Sequence, residues 1–246
     1  EWMRTLGISD LSIDMSAHDF GAKEILEEWN RELRSYRGRV FVSELGVGGL
    51  ADLDAVVAGF VGNEHLPDAR EMAAFRDSLH EGFRARHLDQ VFGTVSELVL
   101  LTQEAQAAGL TRQVEALLAN PRVSGFVITQ LNDVSWEFHA GVLDHWRNPK
   151  RAYHALKRLN QPHCLILKSD RPVASCGESV EVALTLVSQA ALTGQEHVAV
   201  RVNPPAGPAE SVRREQAPSG AGIRELRPIL LEVGSLAGEW CVSACL

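Results

Sequence analysis

The periodicity of the apolar residues changes at Pro162, and this change constrains the fold more than any other feature of the sequence. Before Pro162, short apolar runs such as 39–44 alternate with longer segments in which apolar residues recur every three or four positions. After Pro162, apolar and polar residues alternate with a period of two, as in 179–189. The first pattern is typical of alternating strands and helices, and the second of an antiparallel β-sandwich. The sequence therefore predicts an α/β domain over residues 1–160 and a β-sandwich domain over residues 161–246.

The first domain contains three predicted strand–helix units. The strands are predicted at 8–14, 39–44 and 123–131, and the helices at 19–36, 51–60, 68–87, 94–119 and 148–160. The last helix is expected to have Asn148 as its N-cap and Pro149 in its first turn. Parallel strands joined by helices form either a small open α/β sheet or an arc of a closed (β/α)8 barrel, which needs eight units and typically about 250 residues. The pattern alone leaves both architectures open.

The second predicted strand ends in a carboxylate that is followed by glycines, in the sequence VFVSELGVGG. Glu44 is expected at the C-terminal end of a buried parallel strand, which is the edge where βα proteins build their active sites. Gly46, Gly48 and Gly49 allow a sharp turn there and leave space for a ligand. Glu44 is therefore a candidate nucleophile or general base. The structural alternative is a glutamate that pairs with a nearby arginine at the strand end.

A second stretch, GFVITQLNDVSWEFHAGVLDHWRNPK, begins at Gly125 and ends at Lys150. Together with FVSELG upstream, this stretch resembles glycoside hydrolase family 2, the group of β-galactosidases, β-glucuronidases and β-mannosidases. The SELG motif is only moderately specific, whereas the combination of GFVITQLNDV, WE, GxLD and RNPK before a helix is highly specific. The resemblance covers residues 10–160 and, more loosely, the sandwich domain that follows.

This resemblance implies both a fold and a reaction. Members of the family have a (β/α)8 TIM-barrel catalytic domain flanked by β-sandwich domains, and they cleave β-glycosides with retention of configuration. By this resemblance, residues 1–160 are the last strands and helices of the barrel, strands six to eight, and residues 161–246 are an immunoglobulin-like sandwich. Glu44 stands at the end of strand seven and matches the catalytic nucleophile. A β-glycoside substrate is expected, together with the remainder of the parent chain, and no cofactor or metal.

The resemblance also implies a second carboxylate, which protonates the leaving oxygen and later deprotonates water. In the family this residue is a glutamate that follows an asparagine at the end of strand four, a point before the matched part of the barrel. Asn63 and Glu64 mimic that dipeptide but follow Glu44 in the chain, so we interpret Glu64 as a solvated loop residue. We therefore expect the acid/base to lie outside these 246 residues and the chain alone to be inactive.

Two of the residues expected to contact the substrate lie near the end of strand eight. Many relatives carry a tryptophan there that forms the floor of the sugar site, whereas this sequence has Thr129, with Gln130 beside it. Trp136 follows a few residues later and either stacks on a sugar ring or packs under the rim loop. The unusual floor leaves the identity of the substrate open.

Three further polar residues are candidates for substrate contacts. His18 is expected at the mouth of strand six, where it would hydrogen-bond the nucleophile or a sugar hydroxyl. Asp133 and Glu137 follow strand eight, and each either binds a sugar hydroxyl or forms a structural salt bridge with Arg147. All of these roles depend on the resemblance.

The composition argues against two classes of partner. The net charge is −8, so the chain carries no basic field that would attract nucleic acid. No apolar run reaches the length of about 18 residues that a membrane-spanning helix needs, so no membrane partner is expected.

The cysteines, Cys164, Cys176, Cys241 and Cys245, form no CxxC pair and are expected to fill the core. A disulfide between Cys164 and Cys176 is the alternative.

Two functions from different classes remain. The first is part of a retaining β-glycosidase that uses two carboxylates in a double displacement, which the intact SELG motif favours. The second is a non-catalytic carbohydrate-binding or scaffold protein that keeps the glycosidase fold, which Thr129 and the missing acid/base favour. Because an arc of a barrel leaves sheet edges uncovered, a homo-oligomer is a further expectation unless the rest of the barrel is supplied.

Overall fold

The structure of the protein is a computed structural model. It describes residues 12–13, 23–134, 137–169, 171, 173–208, 210–234 and 238–246. The chain divides into two compact units, of which the first ends at Leu159 and the second runs from Asn160 to Leu246.

The first unit contains a parallel sheet and helices that alternate with its strands. The strands are β1 (Ser12–Ile13), β2 (Val40–Leu45) and β3 (Val123–Ile128), in the order β1-β2-β3. Both strand pairs are parallel, as the sequence predicts. The helices are α1 (Lys23–Ser35), α2 (Leu53–Ala58), α3 (Pro67–Ala85), α4 (Asp89–Phe92), α5 (Val95–Leu118) and α6 (Arg151–Leu159). None of these helices has both the length and the apolar character needed to cross a membrane.

Helix α5 follows directly from local sequence signals. The Glu97 backbone N–H donates to Thr94 Oγ1, and the Thr94 backbone N–H donates to the Glu97 carboxylate, both at 3.2 Å. This reciprocal capping box fixes the first turn of the helix. Leu110, Val114 and Leu117 then recur at helical spacing and are buried. The predicted helix over 94–119 is confirmed to within one residue at each end.

One face of the parallel sheet is packed and the other is open among the residues described. Val40, Val42 and Leu45 are at most 1% exposed. On the opposite face, Phe41 is 38% exposed. It pairs with Gly125 of β3, and its ring lies so close that a Cβ added to Gly125 would be 2.8 Å from the ring. Val127, two positions after Gly125 on the same face, is 46% exposed. The open face is therefore apolar.

An irregularity near the end of β2 determines which side chains are buried there. Val42 pairs with Phe126 and Leu45 pairs with Ile128, so β2 carries one more residue than β3 over this interval. Such a β-bulge interrupts the alternation of side chains between the two faces. Leu45 consequently joins the buried face, whereas Glu44 is left half-buried.

Helix α6 begins later than the sequence predicts. It begins at Arg151, so Asn148 is not its N-cap and Pro149 is not in its first turn. The Asp144 backbone N–H donates instead to the Asn148 carbonyl oxygen at 2.9 Å, and the Lys150 N–H donates to the Val142 carbonyl oxygen at 3.0 Å. These bonds hold the backbone of Asn148 and Lys150 against the preceding loop. Residues 148–150 therefore do not join the first turn of α6.

The second unit consists of two three-stranded antiparallel sheets. The strands are β4 (His163–Ser169), β5 (Ser179–Leu192), β6 (His197–Asn203), β7 (Glu210–Gln216), β8 (Gly220–Glu232) and β9 (Cys241–Cys245). The first sheet has the order β4-β5-β8 and the second has the order β7-β6-β9. Apolar residues of both sheets, among them Leu184, Leu186, Val198 and Val200, share one core. The prediction of antiparallel sheets after Pro162 is confirmed.

The cysteines correct one expectation of the sequence. None of them forms a disulfide, so the alternative disulfide between Cys164 and Cys176 is not formed. Cys164 is half-buried, whereas Cys176, Cys241 and Cys245 are exposed. The last two lie at alternate positions of β9 that face away from the core, and only Cys164 approaches the role of core filler that the sequence suggested for all.

Candidate active site

The candidate site lies where β2 and β3 end. β2 ends at Leu45 and β3 at Ile128, and the Thr129 backbone N–H donates to the Leu45 carbonyl oxygen at 2.8 Å. Because the strands are parallel, both carboxyl ends lie at the same edge of the sheet. The segments that follow are called here the β2 loop (46–52) and the β3 loop (129–150). Together they form the rim at which the sequence predicted the site.

Glu44 lies at this rim and is half-buried. Within the described parts of the chain, its carboxylate forms no hydrogen bond or ion pair with another side chain. The alternative of a strand-end glutamate paired with an arginine therefore finds no support there. A half-buried carboxylate at the carboxyl edge of a parallel sheet is suited to act as a nucleophile or base toward a ligand bound at the rim.

The β2 loop is held against helix α5. The Leu50 backbone N–H donates to Thr102 Oγ1, and Gln103 Nε2 donates to the Leu50 carbonyl oxygen, both at 3.0 Å. Gly49 is buried against Gln106, so closely that an added Cβ would lie 2.7 Å from the Gln106 side chain. The glycine at this position is therefore required by close packing rather than by loop flexibility.

The β2 loop is also joined to the β3 loop through its backbone. The Gly49 N–H donates to the His139 carbonyl oxygen at 2.8 Å, and the Ala51 N–H donates to the Phe138 carbonyl oxygen at 3.2 Å. The Phe138 ring packs against Phe75 of α3, with the ring centroids 4.6 Å apart. The segment after Glu44 is thus fixed on two sides.

Asp133 and Lys150 form a buried ion pair within the β3 loop. Lys150 Nζ lies 3.0 Å from Asp133 Oδ2, and the two side chains are 2% and 1% exposed, respectively. Lys150 Nζ also donates to the Gly49 carbonyl oxygen at 2.7 Å, and the Gly141 N–H donates to Asp133 Oδ1 at 2.6 Å. Burial raises the pKa of Asp133 and lowers the pKa of Lys150, while the attraction between the two charges opposes both shifts.

The ion pair corrects the expectation for Asp133. Its partner is Lys150 and not Arg147, which is exposed. Both carboxylate oxygens of Asp133 are engaged inside the protein, so the side chain does not face a ligand. Lys150 and Gln106 were not identified from the sequence. Their contacts connect residues far apart in the chain, and neither has a local sequence signal.

Thr129 and Gln130 occupy the first two positions after β3 and are half-buried. They are joined by a cis peptide bond. The Gln130 N–H donates to the Ala140 carbonyl oxygen at 3.3 Å, and the Val142 N–H donates to the Gln130 carbonyl oxygen at 3.1 Å. Gln130 Nε2 is buried and has no hydrogen-bond partner in the described structure. Buried donors are usually satisfied, so this amide is the kind of group that a ligand satisfies.

The other residues singled out in the sequence do not all lie at the rim. Glu137 lies in the β3 loop and is half-buried. His18 and Trp136 lie outside the described residues. Glu64 is exposed between α2 and α3, as the sequence indicates, and a hydrogen bond from the Gly62 N–H lowers its pKa. In the described ranges, no cluster of three or more His, Cys, Asp or Glu side chains could hold a metal ion.

Comparisons with known proteins identify a similar fold. The chain matches no protein-family profile and no curated protein. Its structure is similar to the crystal structure of a β-D-mannosidase from Dictyoglomus thermophilum, with a TM-score of 0.52 and 19% sequence identity. The similarity covers 93% of this chain but only 28% of that enzyme. At this level of identity the likeness shows the fold alone, which is glycosidase-like.

Proposed function

We propose that this chain forms part of a retaining β-glycosidase in which Glu44 is the nucleophile. The observation that carries the proposal is the position of Glu44. The bulge in β2 leaves its carboxylate half-buried, at the carboxyl edge of a parallel sheet, and without a partner among the described side chains. The resemblance of the SELG and QLND segments to glycoside hydrolase family 2 supports this role, as does the similarity in fold to a β-D-mannosidase.

The parallel sheet fits an arc of a (β/α)8 barrel. Phe41 and Val127 form an exposed apolar surface on the face opposite the packed one. In a closed barrel this face points inward and is covered by side chains of the other strands. We therefore assign residues 1–160 to strands six to eight of a TIM barrel, and residues 161–246 to an immunoglobulin-like sandwich.

The proposed reaction is a double displacement. Glu44 attacks the anomeric carbon and forms a glycosyl ester, while a second carboxyl group donates its proton to the leaving oxygen. The resulting carboxylate then removes a proton from water, which attacks the anomeric carbon and releases Glu44. We place the second carboxyl group in the parent protein, outside these 246 residues. The chain alone should then hydrolyse no unactivated β-glycoside.

We propose that the substrate contacts come from the same rim. Thr129, Gln130 and Glu137 lie on the β3 loop beside the end of β2, and the unpartnered Nε2 of Gln130 is available as a donor to a sugar hydroxyl. His18 and Trp136 are further proposed contacts on the basis of the family resemblance. No cofactor is needed for this chemistry, because both roles are filled by carboxyl groups.

A substitution at Glu44 in the full-length protein that contains these residues tests the proposal. Glu44→Gln keeps the shape of the side chain and removes the attacking charge. Turnover of an aryl β-glycoside should fall by about 10³-fold or more, while the dissociation constant of the substrate changes little. Glu64→Gln, a change of the same kind at an exposed loop residue, is the matched control. Near-normal turnover by Glu44→Gln would contradict the role of Glu44.

A non-catalytic carbohydrate-binding protein is the second candidate. Thr129 favours it, because it stands where the resemblance implies a tryptophan that forms the floor of the sugar site. Under this alternative the full-length protein binds a β-glycoside but does not hydrolyse even an activated aryl glycoside. Calorimetric titration combined with an overnight hydrolysis assay separates the two functions.

A further inference from the structure

Three buried polar side chains connect the β2 loop to the β3 loop, and they are called here the rim cluster: Gln106, Asp133 and Lys150. Lys150 Nζ donates to the Gly49 carbonyl oxygen at 2.7 Å. Gln106 Nε2 donates to the Gly141 carbonyl oxygen at 3.0 Å, while Asp133 accepts from the Gly141 N–H at 2.6 Å. The cluster therefore binds the backbone of both loops at once.

Stability alone does not explain why these side chains are polar. Removing two charges from water is costly, and a buried ion pair can often be replaced by apolar side chains of similar volume without loss of stability. Gln106, Asp133 and Lys150 are each at most 2% exposed. An apolar replacement cannot form a directional hydrogen bond to a specific backbone atom. In this cluster Lys150 forms such a bond to the carbonyl oxygen of Gly49, and Gln106 forms one to the carbonyl oxygen of Gly141.

The bonded backbone leads directly to the proposed nucleophile. Gly49 belongs to the loop that begins just after Glu44 and Leu45. The partner segment, 138–143, hydrogen-bonds to Gly49 and Ala51 on one side and to Gln130 and Leu131 on the other. A displacement of Gly49 is therefore transmitted along the β2 loop to the end of β2. There the hydrogen bond from the Thr129 N–H to the Leu45 carbonyl oxygen connects β2 to the start of the β3 loop.

We propose that the rim cluster is a positioning device that holds the β2 loop, and through it Glu44, in the geometry needed for attack on a bound substrate. The inference rests on the proposed function, because it takes Glu44 as the reacting group. Gln106, Asp133 and Lys150 act through the backbone and are positioning residues, not catalytic ones. A displacement of about 1 Å at a reacting group can slow a reaction by about 10²-fold, so even a small relaxation of the loop should be measurable.

The test compares variants of the full-length protein that contains this chain. The double variant Asp133→Asn/Lys150→Met removes both charges together and keeps an oxygen that accepts from the Gly141 N–H. Besides the ion pair itself, it deletes the bonds from Lys150 Nζ to the carbonyl oxygens of Gly49, at 2.7 Å, and His139, at 3.5 Å. It should fold, with a melting temperature near that of the wild type. Its kcat should fall about 10-fold to 100-fold with KM within about 2-fold, and exchange of the Gly49 and Ala51 amide hydrogens should accelerate. Lys157→Met, at an exposed lysine of α6, is the control.

The outcomes distinguish this inference from the proposed function. A folded double variant with wild-type kcat, alongside an inactive Glu44→Gln variant, overturns the positioning role and leaves the function standing. Near-normal turnover by Glu44→Gln overturns both. If the double variant does not fold, Gln106→Leu replaces it. This change leaves the ion pair intact and removes the bonds from Gln106 Nε2 to the carbonyl oxygens of Gly141 and His139. A wild-type kcat in that variant overturns the positioning role equally.

Discussion

Lys150 Nζ lies 2.7 Å from the carbonyl oxygen of Gly49, a residue of the β2 loop, which begins two positions after Glu44. The two residues are far apart in the sequence, and both are buried. A charged side chain from the end of the β3 loop thus fixes the backbone that leads away from the proposed nucleophile.

Breaking the ion pair on one side should destabilise the protein more than removing it completely. Lys150→Met leaves the Asp133 carboxylate buried without a counter-charge, and the expected loss in free energy of unfolding is about 3–5 kcal/mol. The double variant Asp133→Asn/Lys150→Met should recover most of this loss, because no charge is left unpaired. Urea unfolding of the wild type and the two variants measures both quantities. A double variant less stable than Lys150→Met would contradict this account of the pair.

Gly49→Ala should be destabilising although the substitution is small. An added Cβ at Gly49 would lie 2.7 Å from Gln106, which is buried and cannot move aside without disturbing its own hydrogen bond. Overpacking of this kind typically costs about 1–3 kcal/mol. Gly82→Ala is the control, since Gly82 lies in α3 and its nearest neighbour is the flexible end of Arg86. The free energy of unfolding of that control should rise by about 0.5–1 kcal/mol, because alanine has a higher helix propensity than glycine. Thermal unfolding of both variants measures the two effects.

The stability of the first unit should depend on pH through Glu115. Burial raises the pKa of Glu115 from its usual 4.5 to about 7, and the charge of Arg158 opposes the shift. Because the folded state prefers the protonated form, the stabilising effect of the proton is complete below pH 4.5 and is lost as the pH rises through 7. Glu115→Gln should therefore be more stable than the wild type at about pH 8, by about 1–2 kcal/mol after allowance for partial solvent exposure.

Urea unfolding of Glu115→Gln at about pH 4 and about pH 8 provides the measurement. The difference in free energy of unfolding between Glu115→Gln and the wild type should be small at about pH 4. It should grow as the pH rises from about 4 to about 8. Glu104→Gln, at an exposed glutamate of the same helix, is the matched control. A Glu115→Gln profile that runs parallel to the wild-type profile throughout would show that the folded protein does not hold this proton.

The exposed apolar face of the parallel sheet should cause the isolated 246-residue chain to self-associate. Phe41 and Val127 are both exposed on that face, and uncovered strands next to an apolar surface promote pairing with other chains. Phe41→Ser should reduce the association, whereas Leu230→Ser, at an exposed leucine of the second unit, should not. Light scattering across a concentration series measures the effect. A monodisperse monomer of the unsubstituted chain would contradict this prediction.

The sequence predicted those elements whose signals are local. Helix α5 carries apolar residues at helical spacing, and Asn120 and Pro121 follow its last turn, so its extent could be predicted from local sequence. Strand β7, ESVRREQ, was missed because its charged residues hide the alternation that marked β5 and β6. The Asn148–Pro149 pair suggested a helix start, but hydrogen bonds to Val142 and Asp144 keep that backbone outside α6.

The candidate site could be predicted only in part, for a related reason. Glu44 was found because strand-forming residues stop at a carboxylate that glycines follow, and this is a local pattern. The bulge that leaves Glu44 half-buried depends on the register between β2 and β3, which the sequence of β2 does not specify. The burial of Lys150 depends on three segments that come together only in the folded chain. A pairing of Asp133 with Arg147 was therefore as plausible in the sequence as the pairing with Lys150 that the structure shows.

The most direct test of the account is covalent labelling of the nucleophile in the full-length protein that contains these residues. A 2-deoxy-2-fluoro β-glycoside with a good leaving group should form a glycosyl ester that turns over slowly, because the fluorine destabilises the charge that develops at the anomeric carbon. Peptide mass spectrometry after proteolysis should then find the added sugar on Glu44, in the peptide that follows Arg39. A label on a different carboxylate, or no label on a protein that hydrolyses the parent glycoside, would contradict the assignment of Glu44 as the nucleophile.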